Sequence, residues 1–266
     1  MELDLNELFE RGTLALNHPR GDEGRPHLGG DVAGICDRQG WERRYRATHG
    51  LPPLEHDSAT LKLFARGHAM EAMVLDRIEA GLPQGFILTR DEVVAYRGCV
   101  GHLDAAIYYH PEPDFEPDKA GIPVMVLDVK STVWWQSRDE YNRIVWVPKE
   151  VRDSHQIQIA AYAIAIGAPL ASLFEYDVAS DQVRETHVDV DSYRALVERR
   201  ITEVLNLTDP AKPAPAAAPL PGAEWACGKV KRAKNKLTGE YDQIIARAYC
   251  NVTSCPSHVA NAPVEV

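Results

Sequence analysis

The chain has 266 residues, 45% hydrophobic and 26% charged, which is enough to bury a real core. No apolar run approaches the roughly 18–20 residues of a membrane helix, and the acidic early residues lack a signal pattern; the expectation is a cytoplasmic protein with no membrane partner. A net charge of −10 argues against a broad basic surface for nucleic acid but leaves room for a local one.

Residues 3–16 read as a short amphipathic helix, followed by a Gly/Pro/His-rich loop over 17–30. A helix is predicted over 37–48, stopped by Gly50 and Pro52. The next helix is capped by Asp57 or Ser58, repeats apolar Leu61, Phe64, Leu75 and Ile78, and ends at Gly81. Three strands are predicted over 92–97, 99–109 and 124–130, with a Pro-rich turn over 110–123. Residues 131–148 read as a loop carrying Trp134, Trp135 and Trp146. A helix over 151–166, strands over 172–178 and 182–188, and a helix over 191–205 follow. Residues 210–221 form a Pro/Ala linker, and the tail beyond holds three of the five cysteines. This order indicates an α/β core with a mixed sheet flanked by helices.

Residues 124–127 suit a buried central strand that ends in Asp128-Val129-Lys130. Side chains alternate along a strand, so Asp128 and Lys130 emerge together while Val129 points away. A carboxylate for a divalent cation beside an ammonium for a phosphate is what a metal-dependent phosphodiesterase uses. Taken alone, such a pair is very common and reads first as a solvent-facing salt pair at a strand end. Within Gly101-His102-Leu103-Asp104, alternation places His102, Asp104 and Ala106 on one face and Leu103, Ala105 and Ile107 on the other. Glu71 shares a helical face with Phe64, Leu75 and Ile78, where an unpaired carboxylate is costly and seeks a cation. Its plainer reading is a salt bridge at the edge of the stripe. Gly67, one turn earlier, would let that helix approach the sheet closely. Gln158 and Tyr162 stand four apart on one helix face, within reach of phosphates.

Gly67-x-x-x-Glu71, Gly101-x-x-Asp104, Asp128-x-Lys130 and Gln158-x-x-x-Tyr162 resemble, in order and spacing, the motifs of RecB-like exonucleases of the PD-(D/E)XK superfamily. The likeness covers roughly residues 30–258 and is strongest to the small CRISPR-associated exonucleases and their bacteriophage relatives. That branch usually carries His where this chain has Glu71. The resemblance implies a restriction-endonuclease-like core and a Mg²⁺- or Mn²⁺-dependent deoxyribonuclease, an exonuclease on single-stranded DNA ends. Glu71, Asp104, Asp128 and the Val129 carbonyl would hold the metal. Lys130 would orient the attacking water and steady the phosphate, and Gln158 and Tyr162 would position the strand.

Cys36, Cys227, Cys250 and Cys255, split one-plus-three across the chain, resemble the 4Fe-4S staple of RecB-like and AddB-like nucleases. The tail departs from that pattern, because a lysine-rich insertion separates Cys227 from Cys250. Zn²⁺ held by the four cysteines, or by three with His258, stays open. Cys99 reads as a buried apolar residue. The basic run Lys229, Lys231, Arg232, Lys234 and Lys236 either tracks a phosphate backbone or is a solvated loop. Trp134 and Trp135 either stack on bases or pack in a loop.

The implied organisation is an N-terminal segment over 1–56 with the first cluster cysteine and a nuclease core over 57–208. A linker over 209–222 and a tail over 223–266 complete the cluster site. DNA recombination, repair or phage DNA processing is the implied role, in a bacterial host cytoplasm for a phage-encoded chain. A recombination, helicase or CRISPR-adaptation protein is the implied partner. The alternative is a non-catalytic iron–sulfur or zinc DNA-binding adaptor in such a complex.

Overall fold

The computed structural model describes residues 5–15, 21–22, 24–34, 36–54, 56, 58–111, 121–148, 150–215, 229–234 and 241–246. A five-stranded sheet in the order β1-β2-β3-β6-β7 organises them. Its strands are β1 Phe86–Tyr96, β2 Cys99–Tyr109, β3 Ile122–Thr132, β6 Leu170–Asp177 and β7 Val183–Val188. Only β3 and β6 run parallel, and they are joined through helix α4, Asp153–Ile166. A parallel pair needs such a crossover, and it places a helix against the sheet. The result is a mixed α/β sheet flanked by helices, consistent with a restriction-endonuclease-like core.

Each sheet face buries its own cluster. On one side α4, α5 (Val190–Leu207) and a short π-turn, Leu28–Val32, pack Leu28, Ile159, Tyr162, Val197 and Ile201 against Leu103, Val126 and Leu173. On the other side α3, Ser58–Ala80, packs Val74 and Leu75 against Leu88, Ala105, Leu127 and Val129. Central strand β3 is buried without a break from Val126 to Val129, as a strand covered on both faces must be. Helix α4 stops at Gly167, whose φ of 74° is the left-handed turn that glycine adopts at least cost. Helices α1, Leu5–Ala15, and α2, Asp37–Thr48, complete the described helices. Among the described residues no helix is long and apolar enough to cross a membrane.

Several expectations need correction. Strand β1 begins at Phe86 rather than 92, because the charged run Arg90-Asp91-Glu92 conceals an irregularity inside one strand. Its pairing with β2 stops at Arg90↔Ala105 and resumes at Glu92↔Leu103, with Asp91 at φ 51°. That break also upsets the alternation in β2. Leu103 joins the α4 cluster, whereas Ala105 and Ile107 join the α3 cluster.

The stretch 131–148 is no plain loop. It holds a hairpin of β4, Trp135–Arg138, and β5, Ile144–Val147, closed by Asp139, whose carboxylate accepts from the Tyr141 and Arg143 N–H groups at 2.9 Å each. Phe64 is exposed, because the buried contacts of α3 come from Leu61 and from its later turns. Ser58 is already helical, so it is not the cap, and Asp57 lies outside the described residues. Part of the basic run forms strand β8, Lys229–Lys234, paired with β9, Tyr241–Ala246, rather than a loop.

Candidate active site

The site forms where β2 and β3 part. Their ladder ends at Ala105↔Leu127, and beyond it the Val129 N–H donates to the Asp104 side chain, at 2.9 Å from Oδ2. The N–H and C=O of a strand residue point to the same side, so the Val129 carbonyl also faces this gap. From β3, Lys130 Nζ lies 2.8 Å from Asp128 Oδ1, 2.7 Å from Asp128 Oδ2 and 4.0 Å from Asp104 Oδ2. Asp128 is 1% exposed, and its Oδ2 receives no well-directed hydrogen bond.

Glu71, on α3, lies within electrostatic reach of these groups. Burial, then the Asp104 carboxylate, push Glu71 up to about 7 against the pull of Lys130, with Asp91 and Asp128 adding to the rise. Burial and Asp128 likewise push Asp104 up to about 6, opposed by Lys130 and the Val129 N–H. Burial works against a charged Lys130, but Asp128 and Asp104 outweigh it and raise its pKa above lysine's ordinary value. Three carboxylates therefore face one ammonium. The raised acid pKa values reflect burial first and repulsion between the carboxylates second.

Glu71, Asp104, Asp128 and the Val129 carbonyl are all hard oxygen donors of the kind Mg²⁺ and Mn²⁺ prefer. The buried Asp128 Oδ2 without a directed donor suits a cation. Among the described residues, no group of three His, Cys, Asp or Glu side chains is yet arranged around a metal position. Lys130 lies against Asp128, and Asp104 is turned onto the Val129 N–H. The donor chemistry fits; closing the donors on an ion requires those two contacts to give way.

A cleft of about 490 Å³ opens beside Asp104 and is lined by His27, His102, His155, Gln158 and Tyr162. Gln158 Nε2 lies 3.5 Å from Tyr162 Oη, and Tyr162 is pushed up to about 12 by burial and by Asp128. Two glycines make its slot. A Cβ on Gly101 would sit 2.5 Å from Tyr162 Cε1, and one on Gly29 would sit 2.5 Å from Tyr162 Oη. Gly67 has no such role, since a Cβ there meets only Ser131 Oγ at 3.9 Å. The close approach expected at Gly67 occurs at Gly101 instead.

The structure thus brings Glu71, Asp104, Asp128 and Lys130 into one electrostatic cluster, with Gln158 and Tyr162 beside it. Cys36 is buried at the start of α2, while Cys227, Cys250, Cys255 and His258 lie outside the described residues. Cys99 is fully buried, and burial followed by the Asp31 charge pushes its thiol up to about 11.

Sequence reasoning gave no role to Asp22, His27 or His102. His102 Nε2 lies 2.7 Å from Asp22 Oδ2, and His27 Nε2 lies 3.3 Å from Asp22 Oδ1. His155, also unassigned, is lowered to about 4 by burial and then by Lys130. The Gly/Pro/His-rich composition of 17–30 was the only signal for the first group. Nothing local connects it to a strand 80 residues away.

No family model matches this chain, and no curated protein matches it. Among solved structures it is similar to an alkaline exonuclease (LHK-Exo) from Laribacter hongkongensis, at 14% identity and TM-score 0.43, covering 76% of this chain and 92% of that one. The same protein in complex with dAMP gives 13% identity and TM-score 0.44 over the same shares. Likeness at this level assigns no role to any residue of this chain.

Proposed function

We propose that this chain is a divalent-metal-dependent DNA nuclease, an exonuclease on single-stranded ends serving recombination, repair or phage DNA processing. One observation carries the reading: three acids far apart in sequence, Glu71, Asp104 and Asp128, couple electrostatically around Lys130, beside a cleft that Asp104 lines. Glu71, Asp104, Asp128 and the Val129 carbonyl would hold Mg²⁺ or Mn²⁺. A bound cation supplies charge neutralisation at the phosphoryl group.

The chain's own groups do the rest. In the metal-free chain Asp128 and Asp104 outweigh burial and favour the ammonium form of Lys130. Lys130 orients water and stabilises charge on the phosphate. Gln158 and Tyr162, in the cleft wall, hold the strand. In the metal-free chain Asp104, on the Val129 N–H, fixes the backbone that carries the Asp128–Lys130 pair. For the cysteines we propose a 4Fe-4S cluster on Cys36, Cys227, Cys250 and Cys255, with Zn²⁺ as the alternative. The support is the cysteine pattern together with the buried position of Cys36.

The test is degradation of end-labelled single-stranded DNA with Mg²⁺ or Mn²⁺, wild type beside Lys130→Ala. Loss of cleavage in the variant is expected. Equal rates in both would remove the catalytic assignment.

A further inference from the structure

The cleft that Asp104 lines has a volume of about 490 Å³, within the range that takes a small ligand. Most of its polar groups are uncharged. Ser154, Gln158 and Tyr162 bring a hydroxyl, an amide and a phenol to it. Asp22 holds two of its histidines in place, His27 at 3.3 Å and His102 at 2.7 Å. Burial and then Arg43 lower His27 against the pull of Asp31 and Asp22, while burial and then Lys130 hold His155 at about 4. Both rings are therefore neutral at physiological pH, each with a donor on one nitrogen and an acceptor on the other. Phe64 supplies an apolar wall. It is 47% exposed, and its ring makes a T-shaped contact with His56 at 5.2 Å.

These groups select a class of occupant. Phosphate binding relies on several fixed cations. Of the residues lining the cleft only Arg152 carries one, against the carboxylate of Asp104 and with Asp22 on the histidines. A ring wall with neutral donors and acceptors is instead the chemistry that receives an unpaired nucleobase, stacking on its face and bonding to its edge. The cleft is also tied to the acids. Asp104 belongs to both, and the charges of Asp128 and Lys130 reach Tyr162 and His155 in its wall.

We propose that this cleft is a nucleobase pocket, which takes the base of the terminal nucleotide against Phe64 and bonds it through Gln158, His27 and His155. The proposal deepens the nuclease reading and rests on it for which nucleotide lies there.

The experiment measures, in EDTA, the anisotropy of internally labelled single-stranded oligo(dT) carrying one abasic residue at its 5′ end, at its 3′ end or in its middle. Each strand keeps every phosphate. Wild type should lose about tenfold in affinity for one of the end-abasic strands and nothing for the centrally abasic one. Phe64→Ala should bind intact and end-abasic strands alike. Phe64→Tyr should restore the difference and Phe64→Leu should not, which separates stacking from apolar cover. Thymidine should compete with the strand, and inorganic phosphate should not.

Equal wild-type affinity for the intact and both end-abasic strands would overturn the pocket. So would competition by phosphate alone, or a wild type that binds no single strand. Cleavage of the same strands with Mn²⁺ judges the nuclease reading separately. A wild type that discriminates the terminal base yet cuts nothing keeps the pocket and loses the nuclease. One that cuts intact and end-abasic strands equally, with equal affinity, loses the pocket alone.

Discussion

Lys130 Nζ sits within 2.8 Å of both oxygens of Asp128, a carboxylate 1% exposed to solvent. Among the described residues the ammonium pairs with both oxygens of that buried carboxylate, so the pair is at once the proposed catalytic element and a structural one. Removing one partner of a buried ion pair leaves the other uncompensated, at a cost of roughly 3–5 kcal/mol. Lys130→Ala should therefore lower the melting temperature of metal-free protein as well as end cleavage. Asp128→Asn should end cleavage with a smaller stability loss. Thermal melts in EDTA and with Mn²⁺ check this: Mn²⁺ should recover most of the loss in Lys130→Ala and little in Asp128→Asn.

The acids predict a pH dependence. The pKa of Glu71 is raised from 4.5 to about 7, so the fold favours its neutral form. Its contribution is fully present below pH 4.5 and is lost as pH rises through about 7. Asp104, raised from 3.8 to about 6, acts in the same sense over a lower window. Metal-free protein should thus lose stability from about pH 4 to 7, and Glu71→Gln should flatten that slope by on the order of 1 kcal/mol after solvent screening. Melts at a series of pH values in EDTA decide it, and a slope in Glu71→Gln equal to wild type refutes it. Stabilisation by Mn²⁺ should grow with pH, because protons and cation compete for the same oxygens.

Two glycines drawn from similar motifs should behave in opposite ways. Gly67→Ala replaces a helix-interior glycine where a methyl finds room, and should stabilise by about 0.5–1 kcal/mol with cleavage retained. Gly101→Ala drives a methyl into the Tyr162 ring in a packed core, and should cost about 1–3 kcal/mol and displace Tyr162 from the cleft. Chemical denaturation of both variants, with cleavage rates alongside, reads the contrast.

Arg200 on α5 holds the start of α2 and the π-turn together. It pairs with Asp37 at 2.9 Å and Glu203 at 2.7 Å, and lies 3.5 Å and 3.4 Å from the carbonyls of Val32 and Asp31. Arg200→Met should destabilise by roughly 3 kcal/mol. Because the π-turn includes Gly29 beside Tyr162, it should also raise the KM for DNA. A KM equal to wild type would confine Arg200 to stability alone.

Metal analysis addresses the cysteines directly. A brown protein with about four irons per chain is expected, and Cys36→Ser should bleach it. Colourless protein with one zinc per chain would replace the cluster by a zinc site.

Much was legible because local periodicity encodes which way a side chain faces. The unbroken apolar run into Asp128-Val129-Lys130 marked β3 as central, and the four-residue step from Gln158 to Tyr162 placed them on one face of α4. The segment Ile144-Val-Trp-Val also carried a strand signal, with Asp139 and Asn142 as turn residues ahead of it, yet three tryptophans in a polar stretch masked the hairpin. Phe64 shows the limit from the other side: it keeps the helical period of the buried residues, but lies where α3 buries little.

What the sequence determined by itself was the order of the core elements, the mixed α/β class and the shared facing of Asp128 and Lys130 on β3. Only the tertiary structure decided that β2 parts from β3 beside Asp104, within electrostatic reach of Glu71. It likewise decided that Gly101, not Gly67, is the tight contact, and that Asp22 binds His102 across 80 residues. Periodicity fixes direction within one element. The distance between elements is set by how their side chains pack, and no local pattern carries that.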